Sequence, residues 1–160
     1  GNAGYFQKAM ELISQAAKGS HIKVFVKLSP LERARALEQT GIDAFYDEVK
    51  KVVSKRKLRV EYIFLVRYRK SLQDRAVQEH LNDYKSFTRA IRLVYEYETN
   101  LVPTDLSLSM GLFTDQQVVL TNDRDFKGGV SNGTLWIHKR DYDRFISLYK
   151  RIRLTSELLK

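Results

Sequence analysis

The chain has 160 residues, a formal charge of +9, 43% hydrophobic and 29% charged residues, and no cysteine. Length and balance are those of one soluble domain with a sizeable core, and the missing thiols exclude a disulfide framework, a Cys-ligated zinc site and a cysteine nucleophile. No run approaches the roughly 20 apolar residues of a spanning helix, and the N-terminus lacks a basic segment before an apolar block, so a cytoplasmic protein without a membrane partner is expected.

Residues 5–18 predict a helix, with Phe6, Ala9, Met10, Ile13, Ala16 and Ala17 on one stripe and Gly19 placed to end it in a left-handed conformation. "HIKVFVKL", 21–28, alternates with strand period. Ile22, Val24, Val26 and Leu28 point one way; Lys23, Phe25 and Lys27 point the other, and Phe25 implies partial cover on that second face. Ser29-Pro30 opens a helix that breaks at Gly41, and a second helix runs through "AFYDEVKKVVSKRK".

"LRVEYIFLV", 58–66, reads as a central strand covered on both faces. A helix is expected from Ser71, then a strand over 91–98. The stretch "DLSLSMGLFTDQQVVLTND", 105–123, reads as a hairpin with Asp115 at its turn, followed by a short strand "TLWIH" and a last helix capped by Asp141. Early alternation favours parallel crossovers, and the hairpin adds antiparallel strands. The expected fold is α/β, a layered sandwich with a mixed, mainly parallel sheet covered by helices. The chain opens on Gly1, and the expectation is a single domain over 1–160 excised from a longer multidomain chain.

Catalytic motifs are missing. His138, Lys139 and Asp141 stand close together, but in a strand His138 and Lys139 face opposite ways, and Asp141 reads as a cap that accepts from the N–H of Asp143 or Arg144. His21 and His80 have no second ligand at metal spacing, and "GG" at 128–129 lacks the strand-then-helix setting of a phosphate loop. Glu96/Glu98 and Asp123/Asp125 each lie two apart; Glu96 and Glu98 would share a strand face, where a solvated surface competes with a like-charge pair of raised pKa. No cofactor, metal or catalytic residue is assigned.

The basic residues cluster. From Lys50 to Lys70 there are nine Lys and Arg against one acid, Glu61, which is +8 of the chain's +9. Arg67, Tyr68, Arg69 and Lys70 follow the strongest strand, at a carboxyl end where α/β sheets bind ligands, so an anion is expected there, against a plain solvated turn. Lys55, Arg56 and Lys57 could extend that surface, although cations also suit a helix C-terminus.

This path of elements resembles one repeat of the phospholipase D superfamily over nearly the whole chain. That family carries His-x-Lys, four residues and an Asp on its hairpin. With Asp115 set on the family's Asp, Leu108 falls on the His position and Met110 on the Lys position. Thr121-Asn122-Asp123 lies near the family's Gly-Ser-x-Asn segment with loose similarity, and "LWI" and the helix around Phe145–Tyr149 match its closing strand and helix. The resemblance implies a fold without its chemistry, because leucine cannot attack a phosphodiester and methionine carries no charge. It also implies a two-fold homodimer, since catalytic members set two repeats face to face.

Three functions stay open. The first is a non-catalytic phospholipase D-like regulatory or ligand-sensing module of a larger bacterial protein. The second is a nucleic-acid-binding domain using the Lys50–Lys70 surface. The third is a phosphodiesterase with a rearranged site.

Overall fold

The computed structural model describes residues 2–27, 42–98, 110–123 and 134–159. The expected helix after Ser29 and Leu108 lie outside the described residues. Among the described residues seven strands form one sheet: β1 (His21–Lys27), β2 (Arg59–Val66), β3 (Ala90–Tyr95), β4 (Met110–Thr114), β5 (Val119–Asp123), β6 (Thr134–His138) and β7 (Glu157–Leu158). Their order across the sheet is β6-β5-β4-β1-β2-β3-β7. The helices are α1 (Asn2–Gln15), α2 (Ile42–Arg56), α3 (Arg75–Lys85) and α4 (Tyr142–Leu154), with a 3-10 turn at Arg69–Gln73.

The fold is α/β with a mixed sheet, but parallel pairing is confined to the centre. β1 pairs parallel with β2, and β2 with β3. β4, β5 and β6 add antiparallel strands on one flank and β7 adds one on the other. Two strand–helix crossovers make the parallel core, and a hairpin extends it.

Period-two alternation decides which residues meet which helices. Ile22, Val24 and Val26 of β1 lie with Val60, Tyr62, Phe64 and Val66 of β2 and with Ile91, Leu93 and Tyr95 of β3 in one apolar cluster. Against them pack Ala9, Ile13 and Ala16 of α1, Tyr46, Val49 and Val53 of α2, and Val77, Leu81 and Tyr84 of α3. The residues in between, Phe25, Ile63, Leu65, Val94 and Phe113, form a smaller cluster with Ile146, Tyr149 and Ile152 of α4. β2 reads as a continuous apolar run from Tyr62 to Val66 because both faces are covered there.

Several boundaries differ from the sequence reading. α3 starts after Asp74, whose carboxylate accepts from Ala76 N at 2.8 Å, and not from Ser71, which belongs to the 3-10 turn. β3 ends at Tyr95, so Glu96 and Glu98 stand in a turn and not on one strand face. Asp141 holds the N-cap position of α4 and its carbonyl accepts from Phe145 N at 3.1 Å, but its side chain does not cap the first turn. β7, too short to show a period, was not anticipated. α1 ends at Gln15, short of the expected Lys18; Gly19 takes the expected left-handed conformation, with φ at +78°, but in the turn that follows, where its N–H donates to the Arg56 carbonyl at 2.9 Å.

Candidate anion-binding cleft

Among the described residues one helix, α4, covers the second face of the sheet, and its apolar cover stops short of the strand beginnings. There the strand positions that share parity with buried Phe25, Ile63 and Val94 are charged. They are Lys23 on β1, Arg59 and Glu61 on β2, and Arg92 on β3. The register sets His21 beside Arg59 and Lys23 beside Glu61. Arg89 from the turn before β3 and Lys150 and Arg153 from α4 complete the walls of a cleft of about 560 Å³. Six Lys and Arg thus surround one carboxylate.

Glu61 organises the floor. Tyr149 Oη donates to its Oε1 at 2.9 Å, and Arg153 forks onto it, with Nε to Oε1 at 2.8 Å and Nη2 to Oε2 at 3.3 Å. Burial alone would raise this carboxyl, but the hydrogen bonds from Arg153 and Tyr149 outweigh it and hold Glu61 below the ordinary carboxylate value. Tyr149 is pushed up, first by its own burial and then by the Glu61 charge, so it stays a neutral donor. Arg92 is held against the end of α4, with Nε on Ser156 Oγ at 2.6 Å.

The other cations are not neutralised. The Arg59 guanidinium donates to the Gly19 carbonyl at 3.2 Å and makes no ion pair among the described residues. Among the described residues, Lys23, Arg89 and Lys150 make no ion pair. Unpaired cations around a concavity concentrate positive potential and favour an anionic ligand. No group of His, Asp and Glu among the described residues could hold a metal ion.

The cleft opens at the amino ends of the parallel strands. The surface expected from sequence lies at their carboxyl ends and is largely occupied internally. Beyond the last ladder pair, Val66 with Tyr95, three further pairs continue the register. Arg67 faces Glu96 at 3.8 Å, Tyr68 stacks on Tyr97 with ring centroids 4.9 Å apart, and Arg69 grips Glu98 at 2.7 Å. Arg69 also binds Glu157 at 2.6 Å and lies over the Tyr95 ring, while Lys70 sits over Tyr68. Glu96 and Glu98 therefore serve as partners for arginines rather than as a like-charge pair. Tyr68 and Tyr97 remain open to solvent, at 45% and 63% exposure.

The second basic stretch is partly structural. Arg56 Nη1 donates to the Ala16 carbonyl at 2.7 Å and ties the end of α1 to the end of α2. Lys57 takes the left-handed position after α2, with φ at +52°. Lys55 is exposed on the last turn. Of the hairpin positions, Met110 pairs with Val26 near the carboxyl end of β1, whereas Asp115 sits at the far end of β4. Asp115 does more than turn the chain, since its Oδ2 accepts from His21 N at 2.8 Å. His80 is a core residue at 5% exposure, packed against Tyr46, Phe64 and Tyr84. His138 ends β6 opposite Val119, and exposed Lys139 follows the strand.

Lys23, Arg89, Arg92, Lys150 and Arg153 were missed at the sequence level. The usable signal was parity: Lys23, Glu61 and Arg92 share a strand face with apolar neighbours two residues on, which marks where cover ends. No family model and no curated protein sequence matches the chain.

Proposed function

We propose that the protein is a non-catalytic, anion-sensing module of a larger protein, and that the cleft beside Glu61 is its ligand site. One observation carries this reading: six cations line a single concavity with one carboxylate, and that carboxylate is engaged by Tyr149 and Arg153. The ligand class is a multiply charged phosphate, because several separated ammonium and guanidinium groups suit several oxyanions at once.

The resemblance to a phospholipase D repeat supports a regulatory role over an enzymatic one. Its nucleophile and lysine positions hold Leu108 and Met110, which cannot cleave a phosphodiester; Met110 pairs with Val26 at the end of the strands away from the cleft, so the resemblance speaks for missing chemistry and the cations alone speak for the anion. Inorganic tripolyphosphate titrated by calorimetry at low ionic strength tests this. Binding to the wild type is expected, weakened at least about tenfold in a Lys23→Ala/Arg89→Ala/Lys150→Ala variant. Absent binding, or equal binding by the variant, would overturn the reading.

A further inference from the structure

The cleft does not end at the sheet. A second hollow of about 490 Å³ opens on the α2 side, lined by Lys50, Val53, Ser54, Leu58 and Phe87 among others. Arg59 and Arg89 line both hollows. The cause is their place on the rim. Arg59 is the first residue of β2 and has the parity of the α4 face. Arg89 stands one residue ahead of β3 with the opposite parity, that of Ile91, and its N–H donates to the Val60 carbonyl at 2.8 Å. The two arginines thus sit on neighbouring strands, roughly 5 Å apart in the pairing direction, and bridge the two sides of the sheet around its amino-terminal rim.

Resting on the reading of the cleft as an anion site, we infer that the ligand is a single strand of nucleic acid whose phosphates cross this rim, from Lys150 and Lys23 past Arg59 and Arg89 to Lys50. Three observations favour a strand over a compact anion or a duplex. The uncompensated cations are strung along a path through two hollows instead of converging on one point. Lys50, like Lys23, Arg89 and Lys150, makes no ion pair among the described residues, whereas its neighbour Lys51 pairs with Glu48 at 3.5 Å. The path turns around the edge of one sheet layer, which a flexible single strand can follow and a duplex, stiff over roughly 150 base pairs, cannot. The aromatic rings that line the path, Tyr149 and Phe87, are buried, so bases have no open stacking platform there and sequence preference is weak.

Fluorescence anisotropy with a labelled thymidylate strand of about eight residues tests the path. Lys50→Ala is expected to weaken the strand several-fold while leaving tripolyphosphate binding in the cleft unchanged; Lys150→Ala weakens both. The slope of log K against log salt should fall by about 0.7 for each contact removed. A duplex of the same length should bind more weakly than the strand. If Lys50→Ala leaves strand affinity unaltered, or the duplex binds as tightly, the rim path is wrong while tripolyphosphate binding keeps the cleft as a compact anion site. If neither tripolyphosphate nor the strand binds, both readings fail together. Circular dichroism of each variant separates lost binding from lost folding.

Discussion

Arg69 closes a two-armed fork on Glu157, with Nη1 and Nη2 donating at 3.0 and 2.6 Å. Its Nε meanwhile serves both oxygens of Glu98. The hydrogen bonds it donates to Glu157 and then to Glu98 hold the guanidinium charged, and the same contact with Arg69 holds the Glu157 carboxyl below its ordinary value. This clasp and the bond from Leu159 N to the Ile91 carbonyl at 2.8 Å fasten the two-residue strand β7 to β3. Arg69→Ala should therefore speed amide exchange at Leu159 and leave tripolyphosphate affinity alone. Arg69→Lys should resemble Arg69→Ala, because an ammonium cannot make two forks. A loss of anion affinity in Arg69→Ala would instead assign the carboxyl-end surface to the ligand.

Glu61 would repel an anion in the proposed site, and it supports the structure of the cleft. Its carboxyl is held below the ordinary value of 4.5, so the folded chain binds that proton more weakly than the unfolded chain. The contribution to stability is present above the unfolded value and is lost as pH falls through the lower folded value. Arg153 is half exposed, so screening limits the contribution to about 1 kcal/mol. Glu61→Gln should be less stable than wild type at neutral pH by about that amount, with the gap closing as pH falls below 4.5 and through the lower folded value. It should also tighten tripolyphosphate by roughly fivefold, the worth of one removed repulsion of about 1 kcal/mol. Chemical denaturation across pH and calorimetry at neutral pH measure the two effects separately.

The sequence made the centre of the fold legible and left its edges dark. β1 and β2 announce themselves because period two and a continuous apolar run are strong local signals, and Phe25 correctly pointed to cover on the second face. The hairpin of β4 and β5 was visible through Asp115 and its flanking apolar runs. β7 was not, since two exposed residues carry no period and are held by Arg69 and Ile91 from distant parts of the chain. The cleft was invisible for a related reason. Lys23, Arg59, Arg92 and Arg153 are spread over 131 positions of sequence and converge only through parallel register and α4 packing. Arg67-Tyr68-Arg69-Lys70 invites an anion by its place at the carboxyl end of the strongest strand. Its arginines face Glu96, Glu98 and Glu157, which no linear count could pair with them.

Lys57 offers a gain in stability. α2 ends with Lys57 N donating to the Ser54 carbonyl at 3.3 Å and Leu58 N to the Val53 carbonyl at 3.1 Å, with Lys57 left-handed between them. These are the paired bonds of a Schellman ending, where glycine avoids the Cβ clash. Lys57→Gly should stabilise the protein by about 1 kcal/mol in urea denaturation, the steric relief being partly offset by a more flexible unfolded chain. A destabilised variant would mean that the Lys57 side chain contributes more than its backbone costs.

Asp115 ties the hairpin to the start of β1. The ladder between β1 and β4 ends at Ile22 opposite Thr114, and the carboxylate at the turn supplies the next acceptor, for His21 N. Asp115→Asn keeps an oxygen in place and should cost only a few tenths of a kcal/mol. Asp115→Ala leaves the His21 amide to water and should cost about 1 kcal/mol, since the bond is exposed. For a chain of this size that is a fall of roughly 2–4 °C in Tm. Faster amide exchange at His21 should accompany it. Tyr142, raised first by burial and then by the charges of Asp115 and Asp143, should titrate lower in both variants, because both remove the Asp115 charge. If Asn and Ala variants melt alike, the hydrogen bond from His21 N is not what Asp115 contributes to stability.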